Sequence, residues 1–197
     1  MRLTRVEQVE RNRTLVLDAA RRVFLERGYH GASLDAIADE AGFSKGVVYS
    51  QFEGKADLFF ALLEQRIAER GASYLGLAAD HAGLDGLRML LRAVARHSAE
   101  SRAWGRLVIE FRVAAAREPA LNDRYARLHL VALEGVAEVI QTVLAKDGLT
   151  TTRPPREIAE LVLYIEQGNQ LEQAAGTAVL DYASVADDVI TPLVTPM

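Results

Sequence analysis

The 197-residue chain has no cysteine, which excludes disulfides and thiolate metal sites and fits a cytoplasmic protein. Proline is scarce, at five residues, and no long polar tract occurs, so the chain is not expected to be disordered. No apolar run approaches the roughly 18 residues of a membrane span. No charged and then apolar leader follows Met1, so neither membrane insertion nor secretion is expected. His30, His81, His97 and His129 show neither H-x-x-x-H nor H-E-x-x-H spacing, and no metal site is expected. P-loop and G-x-G-x-x-G patterns are absent. Most carboxylates stand beside arginines, as in Glu69–Arg70 and Glu100–Arg102, the pattern of a solvated helix face. Nothing requires an active site, and no cofactor is expected. Period-2 alternation and internal repeats are also missing.

What remains is a helical chain. Half of its residues are hydrophobic, enough for one substantial core or for a small domain joined to a larger one. The densest pattern runs from Ser33 to Phe52. Leu34, Ile37, Ala38 and Ala41 fall on one helical face, with Ser33 placed as N-cap. Gly42 stands where a helix end needs a left-handed residue. Ser44 is then expected to cap a second short helix that carries Val48 and Phe52 on one side. Small Ala38 permits close approach, and Val48 closes the core between the two helices. This is helix-turn-helix spacing, in which the second helix enters the DNA major groove. A plain αα-hairpin with a packing role is the alternative.

Around this motif, Thr4 and Glu7 have capping-box spacing before a helix that reaches Arg27 and is ended by Gly28. Its inward face is Val16, Ala20, Val23 and Phe24. A helix starts near Lys55, with Leu58, Phe59, Leu62 and Leu63 inward, and runs to about Arg70. Gly71 to Gly83 reads as a looser join. Further amphipathic helices carry Leu84 to Val94, Trp104 to Ala115, and Leu128 to Val143 after Pro119, with Ile158 to Ile165 beyond them. Asp147 to Pro155 reads as a loop. A last helix covers Tyr182 to Leu193.

The segment from Thr14 to Glu64 resembles the DNA-binding domain of the TetR family of transcriptional regulators. The likeness rests on LDAA with VF in the first helix, then ERGY, the helix Ser33 to Ala41, AGFSKGVVYSQF, and the K-x-x-L start at Lys55. It implies an all-α fold of about nine helices. Residues 1–54 would be a three-helix DNA-binding domain and residues 55–197 a larger helical domain for ligand binding and dimerisation. It also implies a regulator, most often a repressor, acting as a homodimer on a palindromic operator in double-stranded DNA and released by a small-molecule effector. In the motif, Ser33 and Ser44 can cap helices and offer hydroxyls to phosphate. By resemblance, Tyr49 and Lys55 sit at phosphate-contacting positions, and Lys45, Gly46, Val47, Ser50 and Gln51 in the recognition region. Val47 suits a thymine methyl and Gln51 a base edge or phosphate. Ser50-Gln51 stands where the family more often has an aromatic or histidine pair.

Charge fits this division. Residues 1–55 hold nine Lys and Arg against eight Asp and Glu, with Arg2, Arg5, Arg11 and Arg13 leading, while the rest holds 14 against 19. Phosphate contact depends on this local field rather than on the net charge of −4. In the second domain, Trp104 and Phe111 lie seven apart on one helix side. The face Ile158, Leu161, Val162, Ile165 continues through Asn169 and Glu172. Trp104, Phe111 and Asn169 are the candidate effector contacts; core packing and a helix end are the plainer readings. Glu110 and Arg112 face either a polar ligand group or solvent. By resemblance, Ile158 to Ile165 and Tyr182 to Val194 supply the dimer interface. The helix from Lys55 is the natural lever between effector and DNA. A constitutive regulator without ligand, and a helical enzyme or carrier that has co-opted the hairpin, remain open.

Overall fold

The computed structural model describes residues 4–95 and 99–197, so Arg2 and His97 lie outside the described residues. Among those residues are nine α-helices and one two-stranded sheet. The helices are α1 (Arg5–Gly31), α2 (Leu34–Ala41), α3 (Lys45–Tyr49), α4 (Lys55–Asp80), α5 (Gly83–Ala95), α6 (Ala99–Ala115), α7 (Pro119–Ala145), α8 (Pro155–Ala175) and α9 (Tyr182–Ile190). The strands are β1 (Leu149–Thr151) and β2 (Val194–Pro196). Two compact units result: Met1–Arg66 with Arg106–Tyr125, and Ile67–Gly105 with Ala126–Met197.

The first unit opens on the expected capping box. Thr4 Oγ1 accepts from the Glu7 amide at 3.2 Å, and the Glu7 carboxylate accepts from the Thr4 amide at 2.7 Å. That backbone hydrogen bond holds the Glu7 carboxyl below its usual range. Val16, Ala20, Val23 and Phe24 are buried, as their spacing predicts. Gly28 breaks the helical path at φ 70°, ψ 176°, and one further turn follows before α2. The core is aromatic. Phe59 stacks on Phe111 at 4.1 Å between centroids, and Tyr29 meets Phe111 edge-on at 4.9 Å. Such pairs contribute about 0.5–1.5 kcal/mol each beyond area burial. On one flank Arg124 donates to Asp57 at 2.9 Å and lies over the Phe60 ring.

The second unit has an aliphatic core. Tyr74 and Ala78 of α4, Leu87, Leu90, Leu91 and Val94 of α5, and Ile140 and Val143 of α7 pack with Ile158 and Val162 of α8 and Ala186 and Ile190 of α9. Three expectations change here. First, α4 does not loosen at Gly71 but runs through Gly71 and Gly76 to Asp80. Each glycine costs about 1 kcal/mol of helix propensity, and burial of Tyr74 and Ala78 outweighs it. Second, the loop after Asp147 contains β1, antiparallel to β2, with Thr150 opposite Thr195. Three-residue strands are too short to show alternation, so no local pattern betrays them. The last helix accordingly stops at Ile190, before a 3-10 turn at Thr191–Leu193. Third, α7 is by length and composition apolar enough to cross a membrane, its best window reaching a mean hydropathy of 1.5. Leu133, Val136, Ala137, Ile140, Val143 and Leu144 are buried in this unit's core.

Candidate nucleic-acid interface

Two helices and one turn build the site. Ser33 Oγ accepts from the Ala36 amide at 3.1 Å and starts α2. Gly42 ends it in the left-handed region, at φ 70°, ψ 26°, its amide directed back to the Ala38 and Asp39 carbonyls. Ile37, Ala38 and Val48 are fully buried between α2 and α3, and Phe52 closes the far end. Ser44 stands at the N-cap of α3, but its hydroxyl makes no capping hydrogen bond, contrary to the sequence expectation. A five-residue helix with its core side chain in place holds without it.

With Val48 turned inward, the remaining α3 residues are turned outward. Ser44, Lys45, Gly46, Tyr49 and Ser50 are exposed, as is Ser33, and Tyr49 keeps 54% of its surface. Val47 and Gln51 are half-buried. Ser50 donates its hydroxyl to the Val47 carbonyl at 2.9 Å, and Gln51 Oε1 is buried with no hydrogen-bond partner among the described residues. Lys45 is paired with Asp35 of α2, whose hydrogen bond raises the ammonium further above neutrality. That pair is solvent-exposed and screened, so an incoming phosphate can compete for the lysine.

Lys55 differs from its expected free projection. Its ammonium donates to the Ala32 carbonyl at 3.1 Å, is 3.5 Å from that of His30, and lies 4.6 Å from the Tyr29 ring centroid. Burial pushes its pKa down. Arg13 is likewise drawn in, its guanidinium 4.5 Å from the Phe52 ring centroid.

The candidate effector residues fall in different places. Phe111 belongs to the aromatic core of the first unit. Trp104 and Asn169 belong to the second, where Trp104 is buried and Asn169 Nδ2 is buried without a hydrogen-bond partner among the described residues. Glu110, half-buried, accepts a backbone amide of α1, and Arg112 lies over the Tyr125 ring. The sequence reading missed a polar cluster in the second unit. Glu166, at 6% exposure, accepts from Gln170; Arg70 donates to the Tyr74 hydroxyl at 3.0 Å; Tyr182 donates to the Val162 carbonyl at 3.3 Å. Burial, reinforced by Glu166, pushes the Tyr182 hydroxyl up. Glu166 four residues after Val162 on the apolar face of Ile158 to Ile165, and Arg70 one turn from Tyr74, are the signals that could have found it. Among the described residues no group of three or more His, Cys, Asp or Glu is placed to hold a metal.

Residues 16–62, the stretch that builds this surface, match the bacterial regulatory proteins of the tetR family. That part of the chain belongs to the TetR family. Its members are transcription regulators rather than enzymes. The chain is 45% identical over 58 residues to the transcriptional activator FasR of Mycolicibacterium smegmatis, covering 29% of this chain and 26% of that protein. It is 26% identical over 134 residues to the transcriptional repressor AcnR of Corynebacterium diphtheriae, covering 68% and 66%. The matched stretches therefore span less than two thirds of either relative. A TetR-family regulator from a Rhodococcus species shares the fold, with a TM-score of 0.75 at 24% identity over 92% of this chain and 97% of that one.

Proposed function

We propose that this chain is a transcriptional repressor that binds a palindromic DNA operator as a homodimer and is released by a small-molecule effector held in residues 55–197. The observation that carries the DNA-binding part is the α2–α3 geometry. A left-handed Gly42 and fully buried Ala38 and Val48 leave Ser33, Ser44, Lys45, Gly46, Tyr49 and Ser50 in solvent. In this reading α3 lies in the major groove. Tyr49, Lys55, Ser33 and Ser44 contact phosphates, while Lys45, Gly46, Val47, Ser50 and Gln51 face base edges. Two copies would place their α3 helices one helical turn apart, about 34–36 Å.

For the dimer, the family's use of the last two helices needs adjusting to what is exposed. Ile158, Val162, Tyr182 and Ile190 are spent on the unit's own core. Tyr164 and Leu171 of α8, Val179 and Leu180 after it, and Val189 of α9 remain exposed and are the better candidates for a second copy. For the effector, Asn169 Nδ2, buried with no hydrogen-bond partner among the described residues on the same helix as buried Glu166, supports a pocket over plain core packing. The lever is α4, one uninterrupted helix from Lys55 to Asp80. The test is footprinting of the purified chain on the DNA flanking its own gene. Protection of a palindrome with two half-sites is expected. No affinity for any duplex at low salt would return the chain to the carrier or enzyme reading, and binding that no small molecule relieves would make it a constitutive regulator.

A further inference from the structure

We propose that Glu110 is a positioning residue for DNA binding: its carboxylate holds the turn between α1 and α2, and so sets the attitude of the helix-turn-helix. At Gly28 the backbone leaves the helical path, and the next amide, that of Tyr29, donates to Glu110 Oε2 of α6 at 2.8 Å. The fit demands glycine at 28, since a Cβ there would lie 2.5 Å from the same oxygen. The carbonyl side of this turn is taken from another helix, by Lys55 on Ala32 and His30. One short turn is thus held through its amide by an anion and through its carbonyls by a cation. Phe111, next to Glu110, fixes α6 at this place by meeting the Tyr29 ring and stacking on Phe59. Ala32, at the end of the turn, is adjacent to the α2 cap Ser33. A shift of the turn therefore passes directly into α2 and α3, which must be held within roughly 0.5 Å and 10–20° to keep a binding geometry.

The test uses the full chain with a duplex selected in vitro for binding by the wild type, in buffers of graded salt, at a temperature where circular dichroism shows every variant folded. Glu110→Ala should weaken binding by roughly 5- to 100-fold, the equivalent of one buried donor left unpaired, with the slope of log affinity against log salt unchanged. Glu110→Gln keeps an acceptor oxygen and should bind within about twofold of wild type. A slope changed by Glu110→Ala would make the effect one of charge at the DNA and overturn the proposal. So would wild-type affinity in that variant, or a Glu110→Gln variant as weak as it. Amide exchange decides the case even if Glu110→Ala fails to fold. Protection of the Tyr29 amide in both wild type and Glu110→Gln supports the hydrogen bond, and exchange at the rate of a free amide in the wild type overturns it.

Discussion

Gly42, Lys45 and Lys55 show what single residues contribute. A Cβ at Gly42 would meet open space, so the cost of a side chain there is dihedral alone. Left-handed backbone costs an ordinary residue about 1–2 kcal/mol, a β-branched one more and asparagine less. Gly42→Val should therefore abolish operator binding while Gly42→Asn retains most of it. A gel-shift series showing equal affinities would remove the turn from the motif. Lys45 and Lys55 should separate in a different way. Lys45 is exposed and its ion pair is with a half-exposed Asp35, so Lys45→Ala should lower the salt slope by about one and leave the denaturation midpoint unchanged. Lys55 also ties backbone carbonyls, so Lys55→Ala should in addition cost roughly 1–3 kcal/mol of unfolding free energy. Equal urea midpoints for the two variants would contradict the clamp.

Among the elements, α9 shows how a helix is held at its end. Its Asp187 accepts from Thr191 and from Arg88 of α5, the latter at 3.1 Å to both carboxylate oxygens. The Thr191 hydrogen bond, followed by Arg88, holds its pKa below the usual carboxylate value. The native state thus binds this proton less tightly than the unfolded chain. The resulting stability is complete above the ordinary carboxylate pKa of about 3.9 and is lost as pH falls through the lower native value. Wild type should melt higher than Asp187→Asn at neutral pH, with the gap closing below roughly pH 4. A gap that persists in acid would assign the contribution to packing. At β1 and β2, Met197 adds its amide to the Gly148 carbonyl at 2.9 Å, so truncation before Val194 removes the whole ladder.

For the molecule as a whole, the proposed repressor needs a link between effector and operator. Coupling of about 1–3 kcal/mol would change operator affinity by about 5–150-fold. Trp104 is the single tryptophan and lies buried in the second unit, so its emission reports on changes in that unit's interior. A compound that frees the chain from its operator should alter that emission. Trp104→Phe should blunt the response while leaving operator affinity in the compound's absence unchanged. Release with Trp104 emission unchanged and a full response in the variant would place the effector elsewhere.

The helices around the motif are legible in the order of the amino acids alone, because capping, glycine geometry and a 3.6-residue period act within a few positions. Thr4 and Glu7, Ser33, Gly42 and buried Val48 are of this kind, and so is outward Tyr49, which follows from Val48 by one residue of helical rotation. Ser44 marks the limit even there, since its place as cap is legible but its idle hydroxyl is not. Contacts that join remote segments are decided only by the tertiary structure. The Tyr29 amide meets a carboxylate 81 residues away, Lys55 meets a carbonyl 23 residues back, and β1 finds β2 at the far end of the chain. Which helix faces which depends on every side-chain volume in the core at once. A carboxylate such as Glu110 or Glu166 therefore has the same local signature whether it ends in water or against a buried donor.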